Sequence, residues 1–138
     1  MSCRRAARAA LLWPPIARSG YWFATLCAFL WGCLLLGHFQ YHRLPAGGIH
    51  YFTGLPSWAF GRGGTTVGAI FLTGARVRGD DVFLHESVHK EQWRRYGLAL
   101  IPLYVEAGSE ALTNRFEIEA GLELGGYVTA GRRPPPTG

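Results

Sequence analysis

The sequence predicts a small α+β fold, mostly helical, behind one N-terminal transmembrane helix. Three observations carry the prediction. An uncharged run of 17 residues, Tyr21 to Gly37, follows a basic leader. A β-rich stretch bounded by glycines runs from Thr65 to Thr73, and two apolar helical segments come after it.

The elements follow in chain order. Residues 1–18 form the leader, with Arg4, Arg5, Arg8 and Arg18 and no acidic residue. Residues 19–38 read as a transmembrane signal anchor, near the lower length limit for a helix that crosses a bilayer. Tyr21, Trp22, Phe39 and Tyr41 lie near its two ends, where interfacial aromatics sit. Arginines ahead of the span predict a cytoplasmic N-terminus and a periplasmic or extracellular remainder. A cleaved signal peptide is the rival reading, but the run is long for a signal core, rich in Trp, and not closely followed by an A-x-A site. A soluble core helix is the other, because 17 apolar residues is short for a span.

Residues 39–64 are rich in Gly, Pro and aromatics and read as a connector. The compact domain is expected at residues 65–127. Its first element is a strand at Thr65–Thr73, between Gly63-Gly64 and Gly74. A helix at about Asp81 to Tyr96 follows: Arg78-Gly79-Asp80-Asp81 supplies a turn and an N-cap aspartate, and no Gly or Pro intervenes before Gly97. Leu98 to Leu112 is a second helical stretch, with Pro102 suited to a first turn. Asn114 and Glu117 have the spacing of an N-cap and its capping-box partner for a third helix. Residues 128–138, ending Gly131-Arg132-Arg133-Pro134-Pro135-Pro136-Thr137-Gly138, read as a disordered tail.

Composition narrows the function classes. The chain of 138 residues carries a net charge of +5, but the leader holds four of its 14 basic residues. Ten basic residues then face nine acidic ones, and no basic recognition stripe appears, so nucleic acid is not an expected partner. Cys27 and Cys33 lie in the apolar run and no cysteine lies beyond it, which excludes a disulfide or cysteine metal ligation in the domain.

The chemistry is concentrated in His85-Glu86-Ser87-Val88-His89. On a helix His85 and His89 stand one turn apart, so two imidazole nitrogens can converge on one tetrahedral Zn²⁺. Glu86 stands about 100° round the axis, where its carboxylate can take a proton from a water whose pKa zinc has lowered to about 7. The residue frequencies of this chain give roughly 0.01 accidental matches to the pattern. His85, His89, Gln92 and Tyr96 share one helix face. His38, His42 and His50 are further ligand types, read as polar filler at a membrane edge.

A catalytic zinc site usually needs a third protein ligand. The longer form H-E-x-x-H-x-x-G-x-x-H fails, because Gln92 and Arg95 occupy its glycine and last histidine positions. Downstream, Asn114-Arg115-Phe116-Glu117-Ile118-Glu119-Ala120-Gly121 contains two carboxylates. Two residues apart on a helix they point about 200° apart, so only one can face the metal. Glu117 is favoured and Glu119 is the alternative. Glu106, Glu110 and Glu123 read as solvated residues.

The order H-E-x-x-H, helix, N-x-F-E-x-E-A resembles the gluzincins, in particular compact membrane-associated peptidases whose third ligand opens an E-x-x-A-D motif. It is also similar to short H-E-x-x-H domains of bacterial proteins classed as metallopeptidases without a known substrate. The resemblance covers residues 64 to 127. It implies a minimal zincin-like domain in which His85, His89 and Glu117 hold zinc and Glu86 is the general base. Ala120 matches the motif's alanine, whereas Gly121 stands where the family's aspartate buttresses a zinc histidine. The resemblance also implies a strand beside the metal helix on which an extended peptide can add main-chain hydrogen bonds. Tyr96 and Tyr104 are candidates for an oxyanion donor. The expectation is therefore a membrane-anchored zinc metallopeptidase. A zinc-stabilised assembly protein without turnover, and a small structural membrane protein with a fortuitous motif, are the alternatives.

Overall fold

His38 to Leu44 and Gly47 to Thr53 carry the strand-favouring residues Phe39, Tyr41, Ile49, Tyr51, Phe52 and Thr53 around the two-residue break Pro45-Ala46, and they pair as an antiparallel hairpin. This hairpin lies in the expected connector. It is half of a four-stranded sheet in the computed structural model, which describes residues 3–61, 63–77 and 79–128. The expected tail from residue 129 onward, and Arg78 of the expected turn, lie outside the described residues.

In chain order the elements are α1 (Cys3–Leu11), α2 (Pro14–Leu34), β1 (His38–Leu44), β2 (Gly47–Thr53), β3 (Thr65–Val67), β4 (Ile70–Leu72), α3 (Asp81–Tyr96), α4 (Leu100–Glu106) and α5 (Arg115–Ala120). The strand order is β1-β2-β4-β3, with β2 parallel to β4 and the other pairs antiparallel. The single strand expected at Thr65–Thr73 is thus two short strands. The chain reverses at Gly68, whose φ of +61° suits glycine, and a Cβ there would lie 2.4–2.7 Å from Thr25 atoms of α2. The expectation of a mostly helical domain is corrected: about half of the chain is helical and the sheet has four strands.

Side chains of β4 alternate between two layers. Ile70 and Leu72 pack with Ala28 of α2, Phe52 and Leu55, while Phe71 packs with Ile49, Leu44 and Phe83 of α3. Helices α2 and α3 therefore cover opposite faces of the sheet and meet near β3, where Tyr21, Ala24, Trp93, Leu100 and Phe116 form a third cluster.

The transmembrane anchor is overturned by the same packing. Among the described residues no helix is long and apolar enough to cross a membrane. Helix α2 includes Arg18 and lays Ala17, Gly20, Tyr21, Ala24, Ala28 and Gly32 against the domain at helical spacing. The contact is close because the residues are small: a Cβ on Gly32 would lie 2.5 Å from the Phe52 ring, and one on Gly20 would lie 2.9 Å from the Leu98 nitrogen. A helix seated this way is part of the fold. The single-pass topology, with a cytoplasmic N-terminus and a periplasmic or extracellular domain, is withdrawn with it.

Helix α3 occupies the expected residues. Its N-cap is Asp80, without a capping hydrogen bond, since Asp80 Oδ1 instead lies 2.7 Å from His42 Nε2. It stops at Gly97, where φ is +57° and a Cβ would lie 2.4 Å from the Ala17 carbonyl oxygen. Helix α5 starts as expected at Asn114, whose side chain accepts from the Phe116 N–H at 2.9 Å and donates to the Gly108 carbonyl at 2.8 Å.

Candidate metal centre

One turn of α3 separates His85 from His89, and their Nε2 atoms are 3.1 Å apart. Phe116 and Ala120 anchor α5 in the core and leave Glu117 facing α3. Glu117 Oε2 lies 3.2 Å from His85 Nε2 and 3.4 Å from His89 Nε2. All three side chains are largely buried, and Oε2 has no hydrogen bond. Burying an acceptor unpaired costs about 1–3 kcal/mol, a cost that a proton on either imidazole Nε2 or a bound cation offsets. His85, His89 and Glu117 form a cluster able to hold a metal ion.

The remaining ring nitrogens face acceptors. His85 Nδ1 is 2.9 Å from the Gly121 carbonyl oxygen, and His89 Nδ1 is 2.8 Å from Gln92 Oε1. A proton on each Nδ1 leaves each Nε2 lone pair directed at Glu117, the arrangement metal ligation needs. Gly121, the departure from the E-x-x-A-D pattern, thus buttresses His85 through its main chain in place of an aspartate side chain. The segment beyond it closes over the ring: Tyr127 lies 5.9 Å from His85 between ring centres, and a Cβ on Gly125 would lie 2.6 Å from His85 Cε1.

Glu119 is turned away from the histidines. Its Oε2 accepts from Gln92 Nε2 at 3.1 Å and its Oε1 lies 3.7 Å from Arg95, so it supports the residue that supports His89. The other acidic candidates are also elsewhere: Glu106 pairs with Arg8, and Glu110 and Glu123 are exposed. His42 stacks on Phe83 and His50 on Phe39, and with His38 they lie on the hairpin strands, outside the cleft.

Glu86 is buried beside the cluster and accepts at Oε2 from the Thr66 hydroxyl of β3 at 2.6 Å. Thr66 also receives the Trp93 indole N–H at its carbonyl, 2.8 Å away, which ties α3 to β3. Burial pushes the Glu86 carboxyl above the usual carboxylate range, against the opposing pull of Thr66, His89 and His85. Burial also acts to raise Glu117, but His85, His89 and Tyr104 outweigh it and hold that carboxyl well below its ordinary value. For His89, burial acts to lower the imidazole, and Glu117, Glu86 and Gln92 together raise it.

These groups line one open cleft of about 430 Å³, whose other walls include Val67, Trp93, Leu100, Ile101 and Val105. Strand β3 lines the cleft and is an edge of the sheet. Tyr104 donates its hydroxyl to Glu117 Oε1, and burial and Glu117 raise its ionisation well above that of an ordinary tyrosine. Tyr96 is not a cleft residue; it packs edge-on against Phe116, with ring centres 5.7 Å apart.

Thr66, Gly125 and Tyr127 were missed by the sequence reading. For Thr66 the only signal is its place in the strand before the motif, and Gly125 and Tyr127 carry none. Comparisons with protein-family models, curated proteins and solved structures found no match to this chain.

Proposed function

We propose that this protein is a zinc-dependent metallopeptidase of gluzincin-like type, with His85, His89 and Glu117 as ligands and Glu86 as general base. The observation that carries the reading is the triangle of ligand atoms with edges of 3.1, 3.2 and 3.4 Å. A tetrahedral zinc with bonds of about 2.0–2.1 Å has edges of about 3.3–3.4 Å between its ligands. Two imidazoles and one carboxylate, with an open cleft before them, are also the donor set of catalytic rather than structural zinc.

The chemistry a bound zinc supplies is Lewis acidity toward a carbonyl and toward water. The chain's own residues do the rest. Glu86, with Thr66 bonded to one oxygen, accepts the proton of the attacking water and returns it to the leaving amine. Tyr104 fixes Glu117 through Oε1 and leaves Oε2 toward the histidines. The β3 edge and the apolar cleft wall support an extended peptide as substrate.

Metal analysis of purified protein, with His85→Ala, Glu117→Ala and Glu86→Gln in parallel, tests the reading. About one zinc per chain is expected in the parent and in Glu86→Gln, and much less in the other two. Peptide-library cleavage by the parent should be lost in Glu86→Gln. A parent that binds no zinc after metal-replete preparation overturns the proposal. Glu86→Gln with the parent's zinc and the parent's activity also overturns it, and leaves a zinc-stabilised domain without turnover.

A further inference from the structure

Acidic residues are absent from the first 79 positions of the chain, which carry eight arginines; from Asp80 onward there are six basic and nine acidic residues. The basic half contains α1 and α2. In α1 the side chains of Arg4, Arg5 and Arg8 are exposed, and Arg8 pairs with Glu106 of α4. Helix α2 is buried along its small-residue side and exposes large apolar groups on the other. Trp22, Leu26, Leu30 and Leu34, spaced four residues apart, are 55–74% exposed, and Phe23 is 58% exposed between them. Trp13 and Ile16, at the end of α2 nearest α1, are also exposed, and Arg18 stands one turn before Trp22. At the same end of α2 a surface cleft is lined by Leu12, Ala17, Arg18, Arg94 and Arg95, with Glu91 as its acidic member.

We propose that α1 and the outer face of α2 form a docking surface for an anionic lipid bilayer, lying along its plane without crossing it. A monomer rarely leaves so many large apolar side chains together in water, and a run of this length marks an interaction surface. Charge complementarity selects lipid as the partner. Arginines clustered at one end of an apolar, Trp- and Phe-bearing helix match an interface whose headgroups are negative and whose acyl boundary is apolar. The buried side of α2 holds the helix flat against the domain, so the apolar side chains enter the interface while the body remains outside. The metal cluster is built on α3 and α5, so this surface stands or falls independently of the peptidase reading.

The test is flotation of the full chain with vesicles of phosphatidylcholine alone and of phosphatidylcholine with roughly one quarter phosphatidylglycerol, at about 0.1 M and 0.5 M salt. Binding at least about tenfold stronger to the anionic vesicles, and weakened by salt, is expected. R4Q/R5Q should weaken it by about 30-fold, and L26S/L30S by more than about tenfold. Circular dichroism and thermal melting serve as fold controls; R4Q/R5Q alters only exposed side chains and tests the proposal without L26S/L30S. Equal or absent binding to the two vesicle types overturns the proposal. A stable dimer in sedimentation velocity that L26S/L30S dissociates, with no lipid preference, overturns it in favour of a second copy of this chain.

Discussion

Replacing Gln92 with Leu tests whether metal affinity depends on the residue that orients His89. Gln92 is 2% exposed, and its amide is fixed at both ends: Nε2 donates to the Phe116 carbonyl at 3.0 Å and to Glu119 Oε2 at 3.1 Å, so Oε1 must face His89 Nδ1. Leu fills a similar volume but accepts no hydrogen bond. The His89 ring then loses what holds its proton on Nδ1, and the Phe116 carbonyl loses a donor. Loss of such a supporting acceptor lowers metal affinity about 10- to 100-fold, equivalent to about 1.4–2.8 kcal/mol. The buried groups left unpaired should cost the metal-free protein about 1–3 kcal/mol as well. Zinc competition against a chromogenic chelator measures the first quantity, and thermal melting of the metal-free protein the second. Glu119→Gln is the comparison, because its amide oxygen still accepts from Gln92, and it should change affinity by less than about threefold. A folded Gln92→Leu protein that binds zinc as tightly as the parent would refute the argument that Gln92 sets the His89 tautomer.

Two further outcomes follow from the electrostatics of the cleft. The raised His89 imidazole of the metal-free protein puts a proton in competition with the metal, so zinc affinity should be flat above the folded His89 pKa. Below it, affinity falls by about tenfold per pH unit for each ligand imidazole that is protonated, while Glu117, held well below its ordinary value, stays ionised and adds nothing to the slope. Affinity unchanged between about pH 8 and pH 6, measured by competition titration, would contradict the His89 assignment. Thr66→Val removes the hydroxyl that favours ionised Glu86; because that bond acts to lower the pKa, its loss raises it. The acid limb of kcat/KM against pH should therefore move to higher pH, with less activity on the acid side and the alkaline side unchanged; an unmoved limb would separate Thr66 from the base.

How much was legible can be judged from particular residues. Helix α3 could be placed to the residue because its stop signal is local: Gly97 ends an uninterrupted helical pattern, and the i, i+4 spacing of His85 and His89 already puts both rings on one face. The choice between Glu117 and Glu119 was half legible. Helix geometry says that only one can face the metal, while the rotation of α5 depends on Phe116 and Ala120 reaching the core. The β1–β2 hairpin was read as connector because Pro45, Gly47 and Gly48 break it and its strands do not alternate between buried and exposed residues, and the pairing of β2 with β4 is a long-range contact without local sign.

The apolar run 21–37 shows the limit most clearly. Hydropathy reports how apolar a segment is, and it does not report which of its faces meets protein. Small residues spaced along one side of α2 open a close contact with Phe52 and Leu98, and only the tertiary structure discloses that those partners are there. By itself the sequence determined the helix from Asp81 to Tyr96 and the meeting of His85 and His89 on one of its faces, because helical periodicity makes those neighbours in space from neighbours in the chain. The tertiary structure decided which of Glu117 and Glu119 meets the two histidines, the Thr66 support of Glu86, the Gly121 carbonyl behind His85 and the seating of α2, because each joins groups at least one element apart whose encounter depends on how the whole core packs.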